Sequence, residues 1–89
     1  MKVEFRKSFA RDLKRHVGDS ALLSRVQKII LDVEAADDPM EIANLKKLKT
    51  EGSYFRIRVG NYRIGLTIEK DTVIFVRFLD RREIYRHFP

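Results

Sequence analysis

No cysteine occurs among the 89 residues, which excludes a disulfide framework and any thiolate metal site and fits a reducing compartment. No apolar stretch is long enough to span a membrane, and the opening residues Met1–Asp12 hold no apolar run of the kind a signal peptide needs. The chain therefore reads as cytoplasmic. There is no internal repeat and no low-complexity linker, and the length suits a single domain, residues 1–89, around one hydrophobic core. No group of Asp, Glu or His has metal-ligand spacing, and no glycine-rich phosphate loop is present. Neither a metal nor a cofactor is expected.

What is present is positive charge, unevenly placed. The formal net charge is +6. Residues 1–45 carry eight Lys/Arg and eight Asp/Glu, whereas residues 46–89 carry eleven Lys/Arg and five Asp/Glu, so the whole excess lies in the second half. An even scatter would serve solubility alone, while concentration in one half favours a face that meets an anionic partner.

Periodicity places the elements. Lys2–Phe5 alternates and predicts a short strand. Ser8 is positioned to cap a helix with Phe9, Leu13 and Val17 four residues apart and Gly18 at its end. Asp19 or Ser20 caps a longer helix, whose Leu22, Leu23, Val26, Ile29, Ile30 and Val33 form one stripe. The two should form an antiparallel hairpin. Asp37-Asp38-Pro39 ends the helical pattern, and Met40–Gly52 reads as a connector anchored by Leu45 and Leu48. Tyr54–Val59 and Tyr62–Ile68 alternate strictly about a Gly60-Asn61 turn, and Thr72–Leu79 follows the Lys70-Asp71 turn as a strand buried on both faces. The expected fold is α+β, in the order β-α-α-β-β-β, with the hairpin on one face of a twisted, largely antiparallel sheet.

Strand parity then sorts the side chains, because successive residues point to opposite faces. Phe55, Ile57 and Val59 share the core face with Tyr62, Ile64, Leu66 and Ile68. Arg56, Arg58 and Arg63 fall on the face the hairpin leaves bare, with Arg77 and Arg81 following. Guanidinium groups grip phosphate oxygens bidentately and stack on bases, and Tyr54, Tyr85 and Phe88 lie among them as stacking platforms. RNA is the anion that suits this set.

These segments carry a resemblance. Leu45-Lys46-Lys47-Leu48-Lys49, Tyr54-Phe55-Arg56-Ile57-Arg58-Val59, Asn61-Tyr62-Arg63-Ile64 and Asp80-Arg81-Arg82-Glu83-Ile84-Tyr85-Arg86 together resemble the RelE/ParE superfamily of toxins, over nearly the whole chain. The resemblance implies a toxin held inactive by a cognate antitoxin. RelE-like members enter the ribosome and cut mRNA, leaving a cyclic phosphate and a free 5′-hydroxyl without a cofactor. ParE-like members poison DNA gyrase, and an inactive relative that only binds an antitoxin is a third possibility. Carried over by position, Arg56 and Arg58 stand where RelE-type nucleases place basic residues, commonly lysine. Arg63 matches the arginine that holds the scissile phosphate, Arg81 the one assigned to transition-state charge or the leaving group, and Tyr85 the tyrosine that orients the mRNA. Lys46, Lys47, Lys49, Arg77, Arg82 and Arg86 are candidates for contact with RNA or the ribosome. Arginine stays protonated, so the general base is open among Lys49, Glu51, Asp80 and His87, with His87 the candidate that ordinarily titrates in the right range. His16 reads as a polar helix residue and Glu83 as an ion-pair partner.

Overall fold

A computed structural model describes residues 1–89. Five strands, β1 (Lys2–Phe5), β2 (Leu45–Lys47), β3 (Tyr54–Val59), β4 (Tyr62–Glu69) and β5 (Thr72–Asp80), form one sheet in the order β1-β5-β4-β3-β2. Only β1 runs parallel to its neighbour, β5; the other pairings are antiparallel. Helices α1 (Lys7–Lys14) and α2 (Ser20–Ala35) form the hairpin, and a third helix, α3 (Arg81–His87), follows β5 directly. No helix is long and apolar enough to cross a membrane.

The hairpin face holds the main core, in which Phe9, Leu22, Val26 and Val33 meet Ile57, Val59, Ile64, Leu66, Val73, Phe75 and Phe78. The alternation read from β3 and β4 holds throughout this face. In β5 it does not run straight: Gly65 pairs with Arg77 but Leu66 pairs with Phe75, so Val76 is an extra, bulged residue. Unbroken alternation from Val73 and Phe75 would turn Arg77 into the core. The bulge turns Phe78 there instead.

Helix α1 is shorter than its periodicity suggests, and Ser8 is not its cap. The N-cap is Arg6, with no side-chain bond. Ser8 instead gives its hydroxyl to the Val76 carbonyl, because β1 ends opposite Phe75 and leaves the outer edge of β5 without a strand partner. Helix α1 runs on along that edge and satisfies it: Asp12 Oδ2 accepts from the Phe78 amide at 2.9 Å. Val17 stands in the turn beyond the helix and is exposed, outside the stripe assigned to it. Asp19 does cap α2, accepting from the Leu22 amide at 3.1 Å.

The face expected to be bare is not bare. Helix α3 folds back across it and buries Ile84 and Phe88 with Leu79, against Leu48, Tyr54 and Val76. Asp80 starts the helix by accepting from the Arg82 amide at 2.7 Å. The connector also contributes more than anchors, since Leu45–Lys47 pairs with Phe55–Ile57 as an edge strand.

Candidate nucleic-acid interface

Register fixes which cations are neighbours. Lys46 lies opposite Arg56, and Arg56 opposite Gly65; two residues further along β3, Arg58 lies opposite Arg63. Two residues of strand span roughly 7 Å, so along the backbone the two rows form one basic track. Arg58, at its end, also lines a separate pocket with Arg25, Lys28 and Asp32 of α2. Like charges directly opposite one another cost stability unless something anionic lies across them.

At one end of the track is the Gly60-Asn61 turn, where Gly60 adopts a positive φ of 59° that a residue with a Cβ tolerates poorly. Arg63 Nη1 donates to the carbonyls of Gly60 at 2.8 Å and Tyr62 at 2.9 Å, which draws its guanidinium towards this turn. Arg81 begins α3 at the same end, its amide donating to the Asn61 carbonyl at 2.9 Å. The β4 hairpin and the start of α3 thus bring Arg58, Arg63 and Arg81 to one end of the sheet.

Along the track β2, the loop after it, β3 and α3 enclose an open groove of about 340 Å³, lined by Lys46, Lys47, Leu48, Lys49, Thr50, Arg56, Tyr85, Phe88 and Pro89. It presents four cationic side chains and neither aspartate nor glutamate. Tyr85 is 61% exposed above it and Phe88 only 4%. The Nε–H groups of Arg56 and Arg63 are buried without a protein acceptor, so donation to a ligand falls to their outer Nη groups, and for Arg63, whose Nη1 serves the turn, to Nη2. With cations along the floor and an aromatic plane at the rim, the groove has the chemistry to take an anionic backbone with an exposed planar group.

Not every expected residue joins it. Arg77 donates from Nε to Asp12 Oδ2 at 2.8 Å and from Nη2 to Oδ1 at 3.3 Å, so its fork is committed to a buried carboxylate and not offered to RNA. His87 Nε2 lies 3.1 Å from Glu83 Oε2 on the same helix and does not line the groove. Asp80 is the α3 cap, and Glu51 is exposed in the loop before β3. Of the four candidate bases, Lys49 alone lines the groove. Arg82 and Arg86 are exposed on α3, Arg86 lying 3.9 Å from Glu83. His16 packs edge-on against Tyr62 and Phe78 at ring-centroid distances of 5.0 and 5.4 Å. No group of three or more His, Asp or Glu side chains is placed to hold a metal ion.

The charge count by halves hid a second basic surface. Arg6, Lys7, Arg11, Lys14 and Arg15 on and around α1 are all exposed, and none is within ion-pair distance of a carboxylate. Asp12, the acid counted beside them, is buried and turned towards Arg77.

Residues 3–85 match the family model of the ParE toxin of type II toxin–antitoxin systems, parDE. Toxin RelE3 of Methanocaldococcus jannaschii is 42% identical over 90 residues, which span the whole of both chains. Among solved structures, the RelB–RelE antitoxin–toxin complex from Methanococcus jannaschii has a chain 41% identical to this one, with a TM-score of 0.77 over 97% of this chain and 99% of that one. The RelE–RelB complex from Pyrococcus horikoshii shares the fold at 20% identity, with a TM-score of 0.72 over 90% of this chain and 93% of that one.

Proposed function

This chain belongs to the RelE/ParE superfamily of toxins of type II toxin–antitoxin systems, and we propose that it acts as a ribosome-dependent endoribonuclease that a cognate antitoxin restrains. The observation that carries this reading is the groove: four cations and an exposed tyrosine along one sheet face, with no acidic side chain among them. RelE of Methanococcus jannaschii was crystallised with its antitoxin RelB, which supports a partner of that kind here. A ribosomal target would place the protein in the cytoplasm.

In the proposed reaction the 2′-hydroxyl oxygen attacks the adjacent phosphorus. The bond to the 5′-oxygen breaks, and a cyclic phosphate and a 5′-hydroxyl result. Arg56 and Arg63 hold the phosphate and stabilise the charge that builds on its oxygens, a donor arrangement whose loss typically costs about 10²–10³-fold in rate. The 2′-hydroxyl proton passes to the general base, and the leaving 5′-oxygen takes its proton from solvent. Arg81, whose amide bonds the Asn61 carbonyl at the turn, stabilises the charge on that oxygen, while Tyr85 stacks on the nucleobase and fixes the in-line geometry. The groups in the groove able to exchange a proton are Lys46, Lys47, Lys49 and Tyr85, since arginine stays protonated. Lysine is therefore present beside Arg56, supplied by β2 and the loop after it, and Lys49 is the side chain assigned to the base.

Expression should arrest growth, and primer extension on cellular mRNA should show cuts that require translating ribosomes. Arg63→Ala or Arg81→Ala should abolish both with the fold intact; a fully toxic, cutting variant would remove that residue from the site. With about four phosphate contacts, affinity for single-stranded RNA should fall roughly 50-fold between 50 and 200 mM salt.

A gyrase poison is the second reading. Arginine at positions 56 and 58 and the match to the ParE model favour it. An SOS response with intact mRNA would establish it over the nuclease.

A further inference from the structure

We propose that Phe88 is a positioning residue for Tyr85: its ring, resting on the bare backbone of Gly65, sets the height at which α3 carries Tyr85 over the groove. The proposal rests on the reading of that groove as an RNA site.

The contact is unusually close. A Cβ built at Gly65 would lie 2.8 Å from two ring carbons of Phe88 and 2.9 Å from a third. No side chain fits between the ring and β4, and the φ of Gly65 requires no glycine. The glycine is there for the ring. Tyr54 closes the contact from β3, its ring edge-on to Phe88 at 5.6 Å between centroids.

Helix α3 has only seven residues, too short to persist without tertiary anchors. Its anchors are Ile84, fully buried, and Phe88, four residues on and on the same side. Tyr85 follows Ile84 directly and projects from the adjoining, exposed side. Gly65 is also the residue opposite Arg56, so the ring descends beside the arginine that lines the groove. The separation between the stacking plane and the phosphate-holding cation is thus set by a contact that involves neither of them. Phe88 itself is too buried to offer a face to a base, so its effect on RNA runs through Tyr85.

The test is a double-mutant cycle on the full chain, with a short single-stranded RNA as probe and amide hydrogen exchange on α3. Tyr85→Ala should weaken binding about 10-fold, the usual worth of one stacked base. Gly65→Ala should displace the ring, speed exchange of the α3 amides and cost the same 10-fold, with the salt dependence unchanged because every cation remains. The two together should cost no more than either alone, since the same stacking contact is lost in each. Phe88→Leu placed on Gly65→Ala should recover binding by making room for the new methyl. Phe88→Ala removes the ring without touching β4, and should reproduce the loss and its lack of additivity where Gly65→Ala does not fold. Losses that multiply, or native α3 protection in Gly65→Ala, would overturn the proposal while leaving the groove reading in place. A native chain that binds no RNA would overturn the groove reading and this proposal with it.

Discussion

Arg77 and Asp12 show how little a residue's type says about its partner. In the sequence Arg77 is one more arginine in a basic half, and Asp12 is an acid among basic neighbours. The bulge at Val76 and the early end of β1 bring them together at the edge of β5, where Asp12 also takes the Phe78 amide. Removing one partner of such a pair leaves an uncompensated buried charge or an unpaired amide, and costs about 3 kcal/mol, a large share of a small protein's stability. Asp12→Ala and Arg77→Met should each lower the urea midpoint accordingly. Arg77→Met should leave the salt dependence of RNA binding unaltered, whereas Arg56→Gln should reduce its slope by about 0.7, one phosphate contact. A changed slope in Arg77→Met would return Arg77 to the interface. Arg56, Arg58 and Arg63 could be placed on one face from the sequence because alternation is local and unbroken in β3 and β4. Arg77 could not, because its environment depends on a bulge and on a residue 65 positions away.

The elements were legible in proportion to their length and regularity. Helix α2 declares itself through a stripe and an aspartate cap, and β3 and β4 through alternation about a Gly-Asn turn. Helix α3 and β2 are short, seven and three residues, and their hydrophobic signal is one or two side chains that only tertiary contact makes meaningful. A trace of α3 was present: an aspartate at position 80, a glutamate three residues on, and Ile84 and Phe88 four apart, which is the pattern of a capped helix start followed by one buried face. The missed helix changes the site, because it converts an open sheet surface into a groove. Asp80→Ala should remove the cap bond to the Arg82 amide and cost about 1 kcal/mol, felt first in α3. The α3 amides should then exchange roughly 5-fold faster while those of β5 opposite β1 change less. Equal acceleration in both would mean that α3 and the sheet open as one unit.

At the scale of the whole molecule, charge that cancels on paper does not cancel in space. The first half of the chain is neutral by count, yet on α1 the one acid faces inward and Lys7, Arg11 and Lys14 share the solvent side. Arg11 therefore has like-charged neighbours at Lys7, Lys14 and Arg15, three or four residues away, each pair unfavourable by about 0.2–0.5 kcal/mol at low salt. The sheet face beyond the core carries its own unpaired cations, so the +6 molecule repels itself from two sides. Screening should relieve this, and the thermal midpoint should rise between 20 and 200 mM salt. Arg11→Glu reverses the sign of all three pairs without touching the groove. It should raise stability by about 1 kcal/mol at low salt, with the gain fading near 0.5 M as the Debye length shrinks. A fall in the midpoint would mean that the α1 cations are already neutralised within the fold. A gain that persists at high salt would mean that packing, not repulsion, limits this face.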